Sequence, residues 1–121
     1  MMIQDACREI YKVATRTAWQ DACRDGVFRG SADDARDGFI HLSANHQLAG
    51  TLERHFKGQS DLVLISFMSS DLGAALKWEP SRNGDLFPHL YADLPTAAAR
   101  SVCDLTLDAN GVPQIPADVA R

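Results

Sequence analysis

The sequence has no CxxC pair, no HExxH or His-x₃-His pair, no glycine-rich phosphate loop and no apolar run near the ~20 residues of a membrane span. Each absence removes a class of function. Cysteine is scarce and odd in number: Cys7, Cys23 and Cys103. That count fits a reduced compartment and three small, buried or half-buried thiols better than a disulfide framework. His46 and His55 are nine residues apart, so a helix would turn them to opposite sides, and a zinc site would need distant segments. No metal is expected. Gly58, Gly73 and Gly84 each stand alone. The first nine residues lack the apolar stretch of a secretory signal, which makes the cytoplasm the expected location. The formal net charge of −4 lacks the basic footprint of a nucleic-acid binder, and neither nucleic acid nor membrane is an expected partner.

What is present fits one domain spanning residues 1–121, with residues 1–9 as an arm, 10–108 as the core and 109–121 as a turn and tail. A chain of this length buries about 65% of its unfolded surface and needs no staple. Residues 10–14 alternate as a strand, with Ile10, Lys12 and Ala14 on one face and Tyr11 and Val13 on the other. Thr15 or Thr17 is placed to cap a helix with Ala18, Trp19, Ala22 and Cys23 as its apolar face, closed by Gly26. Residues 27–38 are rich in Gly, Ser, Asp and Arg and read as a loop. Residues 39–43 read as a strand. Ser43 or Asn45 then caps a second helix running to Phe56, with Leu48, Ala49, Leu52 and Phe56 as its stripe. Residues 61–67 are almost continuously apolar, as in a strand buried on both faces. Short strands follow at 76–79, 86–91 and within 97–107, and Pro88 predicts an edge or a bulge for the second of these. Helices come early and strands late, which predicts an α+β fold with a mostly antiparallel sheet and two helices in the N-terminal half.

Period-two alternation sorts the polar residues. Phe39, His41 and Ser43 share one strand face, and Phe87, His89 and Tyr91 share another. If both faces line one cleft, it holds two imidazoles, two hydroxyls and stacking surface, suited to a ribose or a base and to acid–base chemistry. The plainer reading makes each histidine a hydrogen-bonded structural residue and Tyr91 a packing residue. Trp78-Glu79-Pro80 offers a ring to stack on a ligand and a carboxylate to bind a hydroxyl, against the plainer reading of a core Trp beside a solvated Glu. Arg29 and Arg36 flank the 27–38 loop and are candidates for phosphate contacts, although the acids interleaved with the early arginines equally describe a solvated surface.

Together, Ile10-Tyr11-Lys12, Gly38-Phe39-Ile40-His41-Leu42-Ser43, Asp61-Leu62-Val63-Leu64, Trp78-Glu79-Pro80 and Leu86-Phe87-Pro88-His89-Leu90-Tyr91 resemble a bacterial family catalogued as domain of unknown function 952. The resemblance implies an ADP-ribosyltransferase-like fold, in which a split, mostly antiparallel sheet holds NAD in a cleft. A more distant likeness is to RNA 2′-phosphotransferases. Tyr11-Lys12 stands where these have Tyr-His, and Phe39-Ile40-His41-Leu42-Ser43 where they have His-x-His-Leu-Ser. His41 is retained, while Lys12 and Phe39 replace two histidines, which argues against carrying over the RNA-repair activity.

The expectation is a cleft for NAD, ADP-ribose or a related nucleotide, in a transferase or glycohydrolase. His41, His89 and Glu79 are its candidate catalytic residues. Lys12, Arg29, His41, Ser43, Trp78 and Tyr91 are its candidate binding residues. The alternatives are a non-enzymatic module that binds a small metabolite or a protein through the same cleft, and purely structural blocks. The sequence fixes no oligomeric state.

Overall fold

The computed structural model of the chain describes residues 8–117 and residue 119. Strand β1 (Glu9–Thr15) enters helix α1 (Arg16–Asp25), where the Thr15 side chain accepts from the Ala18 N–H and Gly26 closes the helix at φ 88°. This cap at each end matches the sequence signals. After β2 (Val27–Phe28) comes helix α2 (Ala32–Asp37), where a loop was expected. Ser31 accepts from the Asp34 N–H, the Asp34 carboxylate accepts from the Ser31 N–H, and Gly38 ends the helix at φ 86°. The reciprocal capping box outweighs a composition that otherwise reads as loop. The fold therefore has three α-helices among the described residues, not two.

Strands β3 (Ile40–His41) and β4 (Ser43–Ala44) are one extended run that leaves one sheet for another at Leu42. A 3₁₀ turn (Asn45–Gln47) leads into α3 (Leu48–Phe56). Neither Ser43 nor Asn45 caps this helix; the Gln47 side chain instead accepts from the Ala44 N–H. Strands β5 (Leu62–Met68), β6 (Leu76–Pro80), β7 (Leu86–Leu90), β8 (Leu94–Pro95) and β9 (Ser101–Leu105) complete the chain.

All strand pairs are antiparallel, in the orders β4-β1-β5-β9, β3-β7-β6 and β2-β8. β1 and β5 are central in the first sheet and alternate between two cores. Ile10, Ala14, Val63, Ile65 and Phe67 join Trp19 and Phe28 on one side. Tyr11, Val13, Leu62 and Leu64 pack with Leu48 and Leu52 of α3 on the other. β7 is the middle strand of the second sheet, not an edge. Pro88 is tolerated because its carbonyl accepts from the Leu42 N–H, so its missing N–H falls where β3 ends and the chain departs for β4.

Of the expected N-terminal arm, residues 1–7 lie outside the described residues, and Glu9 already belongs to β1. Residues 106–115 fold back through a Leu107–Pro113 bridge, and the Gly58 N–H donates to the Gly111 carbonyl. Cys23 is exposed rather than buried, because Trp19 and Ala22 take the buried face of α1, and Cys103 is half-buried. Cys7 lies outside the described residues. No described helix is long and apolar enough to cross a membrane.

Candidate functional site

β3 and β7 pair with His41 directly across from His89. The neighbouring Leu42–Pro88 position carries the hydrogen bond, so His41–His89 is the closer, non-bonded kind of antiparallel pair. The two rings lie edge to face, with centroids 5.7 Å apart. Phe39 stacks on His89 at 4.0 Å and touches His41 at 4.6 Å. Both imidazoles open onto a cleft of about 590 Å³ between the two larger sheets, walled by α2 on one side and α3 on the other. Lys12 from β1, Ser43 from β4 and Phe87 from β7 also line it.

The polar groups are tightly partnered. Asp34 is buried beneath the cleft and is the hub. Its Oδ1 accepts from the His41 backbone N–H at 3.0 Å and meets His41 Nδ1 at 2.6 Å. Its Oδ2 accepts from Lys12 Nζ at 2.9 Å and from the Ser31 N–H at 2.8 Å. Burial alone would raise the Asp34 pKa. The His41 hydrogen bond, the Lys12 charge and the remaining donors outweigh it and hold the carboxyl far below the usual range. Lys12, itself buried, also donates to the His41 carbonyl at 3.0 Å. His41 Nε2 meets the Asp37 carboxylate at 2.9 Å, so both nitrogens of this ring face carboxylates.

His89 is held differently. Its Nδ1 meets Glu79 Oε1 at 2.8 Å, and the same oxygen accepts from the Tyr91 hydroxyl at 2.8 Å. These two bonds, His89 first, keep the Glu79 carboxyl below its ordinary pKa, and the hydrogen bond that Tyr91 donates to Glu79, with burial and the Glu79 charge behind it, raises that of Tyr91. Among the described residues His89 Nε2 has no protein partner, and no buried side-chain polar atom is left unpaired. His89 is itself buried, 5% exposed, with its ring in the wall of the cleft. A carboxylate fixing one ring nitrogen while the other faces an open site is the arrangement of a positioned acid–base histidine.

Of the residues expected at a site, Lys12, His41, Ser43 and His89 line this one cleft. The Ser43 hydroxyl is tied to Thr51 Oγ1 at 2.9 Å. Glu79 and Tyr91 stand behind and beside His89, and Tyr91 lines a smaller neighbouring hollow. Arg29 lines that hollow too and pairs with Asp25 at 3.0 Å. Trp78 packs against the first core, under the Arg8 guanidinium at 4.2 Å. Alternation along β6 puts Trp78 on the opposite sheet face from Glu79. The sequence reading missed Asp34 and Asp37, hidden in a stretch read as loop, and Thr51, Arg54 and Arg82, which also line the cleft. The signal for the first pair was the spacing of Ser31 and Asp34, a capping box closed by Gly38. No three described residues are grouped to hold a metal.

On this α+β scaffold the cleft is lined by His41, His89 and, from α3, His55, and the pattern of the family described as "Protein of unknown function (DUF952)" matches residues 13–102 of the chain. The chain belongs to that family. It is similar to protein CC0527 from Caulobacter crescentus: the crystal structure of that protein has 47% sequence identity and a TM-score of 0.90, over 93% of this chain and 99% of the other. The solution NMR structure of CC0527 has 49% identity and a TM-score of 0.79, over 88% of this chain and 91% of the other. Among curated proteins nothing matches the chain.

Proposed function

We propose that the cleft binds a nucleotide of the NAD or ADP-ribose type, on a fold of the ADP-ribosyltransferase kind. One observation carries the reading: two imidazoles 5.7 Å apart share a hollow with a lysine and a hydroxyl, and both are oriented by carboxylates. The volume of about 590 Å³ suits a ligand of this size. A ribose presents hydroxyls that both donate and accept, which matches the mixed set of His41, Ser43 and His89. The fold likeness supplies the ligand class by analogy.

In the enzymatic form of this reading, the substrate's N-glycosidic bond lies beside His89 Nε2. A water oxygen bonds to the sugar C1′ as the C1′–N bond breaks, and its electron pair leaves with the nicotinamide. Nε2 takes the proton from that water, and Glu79 stabilises the imidazolium through Nδ1. Glu79 thus acts through His89 as a positioning residue. One such base contributes about 10²–10⁴-fold.

A second reading, a binding module without turnover, is favoured by His41. Both of its ring nitrogens are engaged by Asp34 and Asp37, leaving His89 Nε2 as the nitrogen of the two rings without a partner among the described residues.

Calorimetry and imidazole NMR with NAD and ADP-ribose test the binding. Heat release and shifted His41 and His89 ring signals are expected. Silence in both at millimolar ligand removes the nucleotide reading. Where binding is seen, nicotinamide release that falls in Glu79→Gln favours the enzyme, and no release from the wild type favours the module.

A further inference from the structure

We propose that Arg54 and Arg82 form a phosphate-binding subsite of the cleft, one that receives the diphosphate of a nucleotide. The inference rests on the nucleotide reading above and names the part of the ligand that the opposite wall takes.

The acids that line the cleft lie on the α2 side, and each is already engaged. Asp34 holds Lys12 and His41, Asp33 holds Arg36, and Asp37 holds Arg36 and His41. The α3 side is different. Arg54 and Arg82 both line the cleft, and neither has a carboxylate within ion-pair distance among the described residues. Arg82 is half-buried. Its guanidinium lies 4.9 Å from the Phe87 ring centroid and donates to the Gln47 carbonyl at 3.4 Å. Burial first, and then the Arg54 charge, push the Arg82 guanidinium below its ordinary pKa against the opposing pull of the Asp85 charge, so the two cations repel across the wall. An anion between them removes that repulsion, and a guanidinium fork matches phosphate oxygens.

Gly50 adds an independent observation. A Cβ built there would come within 2.8 Å of Arg82 Nη2. The absent side chain therefore makes a seat in α3 for the guanidinium. Arg54 follows one turn later on the same helix face. Glycine in a helix interior is otherwise unfavourable, so its presence here fits the seating of Arg82.

The test compares three probes, ADP-ribose, inorganic pyrophosphate and adenosine, on the wild type, Arg54→Gln and Gly50→Ala. Gly50→Ala displaces Arg82 while improving helix propensity, so lost binding in that variant is not lost folding. The expected result is that ADP-ribose and pyrophosphate shift the Arg54 and Arg82 signals, and that each variant weakens both by about tenfold or more. Adenosine should bind the variants as it binds the wild type. If ADP-ribose binds all three proteins equally, the subsite is overturned and the nucleotide reading stands. If pyrophosphate binds with the expected variant losses while ADP-ribose leaves His41 and His89 silent, the subsite stands and the nucleotide reading falls. Binding of neither anion overturns the subsite outright.

Discussion

Asp34 accepts from four donors while only 3% of its surface remains exposed. Replacing it with Asn keeps the shape but leaves the Lys12 ammonium buried without its counter-charge. Breaking one partner of a buried pair costs about 3–5 kcal/mol, and denaturant unfolding of Asp34→Asn at pH 7 should show a loss of that size. The pH dependence follows from the same residue. Its carboxyl is depressed in the folded state, so its contribution is present above the unfolded value of about 4 and drains away as pH falls below it. The stability difference between wild type and Asp34→Asn should therefore shrink on acidification; a difference that stays constant down to pH 3 would show that the charge is not what matters. Alternation along the chain made His41 and His89 legible as cleft-facing residues, and it equally sets Trp78 apart from Glu79. It also grouped Lys12 with Ile10 and Ala14. The partner that lets an ammonium sit at that buried position is 22 residues away, and no local pattern announces such a pairing.

At the scale of elements, α2 shows where composition misleads. Six residues with three aspartates and two alanines form a helix because both ends are fixed, by Ser31 with Asp34 and by Gly38. Asp34 serves the cap and the ion pair together, so the helix start and the cleft wall are one structure. Ser31→Ala removes the N-cap acceptor and should cost about 1 kcal/mol. Faster hydrogen exchange at the α2 amides and an altered His41 ring environment should accompany it. Normal exchange in α2 would show that the Asp34 network alone holds the helix. For a related reason, β7 departs from the edge position that Pro88 predicts. Pro88 forbids one donor, but whether that donor is needed depends on where the neighbouring strand ends, and β3 stops after His41. β1, β5 and the capped start of α1 were legible because their signals are local: alternation, an apolar run and a Thr–Gly bracket.

Across the whole molecule, the run from Ile40 to Ala44 joins two sheets, and the cleft opens along that joint. Its walls come from β1 in one sheet, β7 in the other, and the helices α2 and α3. β1 and β5 supply both cores from their alternate faces, so neither core can loosen without the strands it shares with the other. This coupling predicts a single calorimetric transition for the free protein. It also predicts that a ligand seated across the joint stabilises the entire fold rather than one wall. At a free ligand concentration about 100 times the dissociation constant, the gain is about 2.7 kcal/mol, which for a chain of this length raises Tm by roughly 10 °C. Scanning calorimetry with saturating ADP-ribose should show one peak moved upward as a unit. A peak that splits, with a ligand-insensitive fraction melting at the original temperature, would mean that the sheets unfold separately and that the joint does not transmit what happens in the cleft.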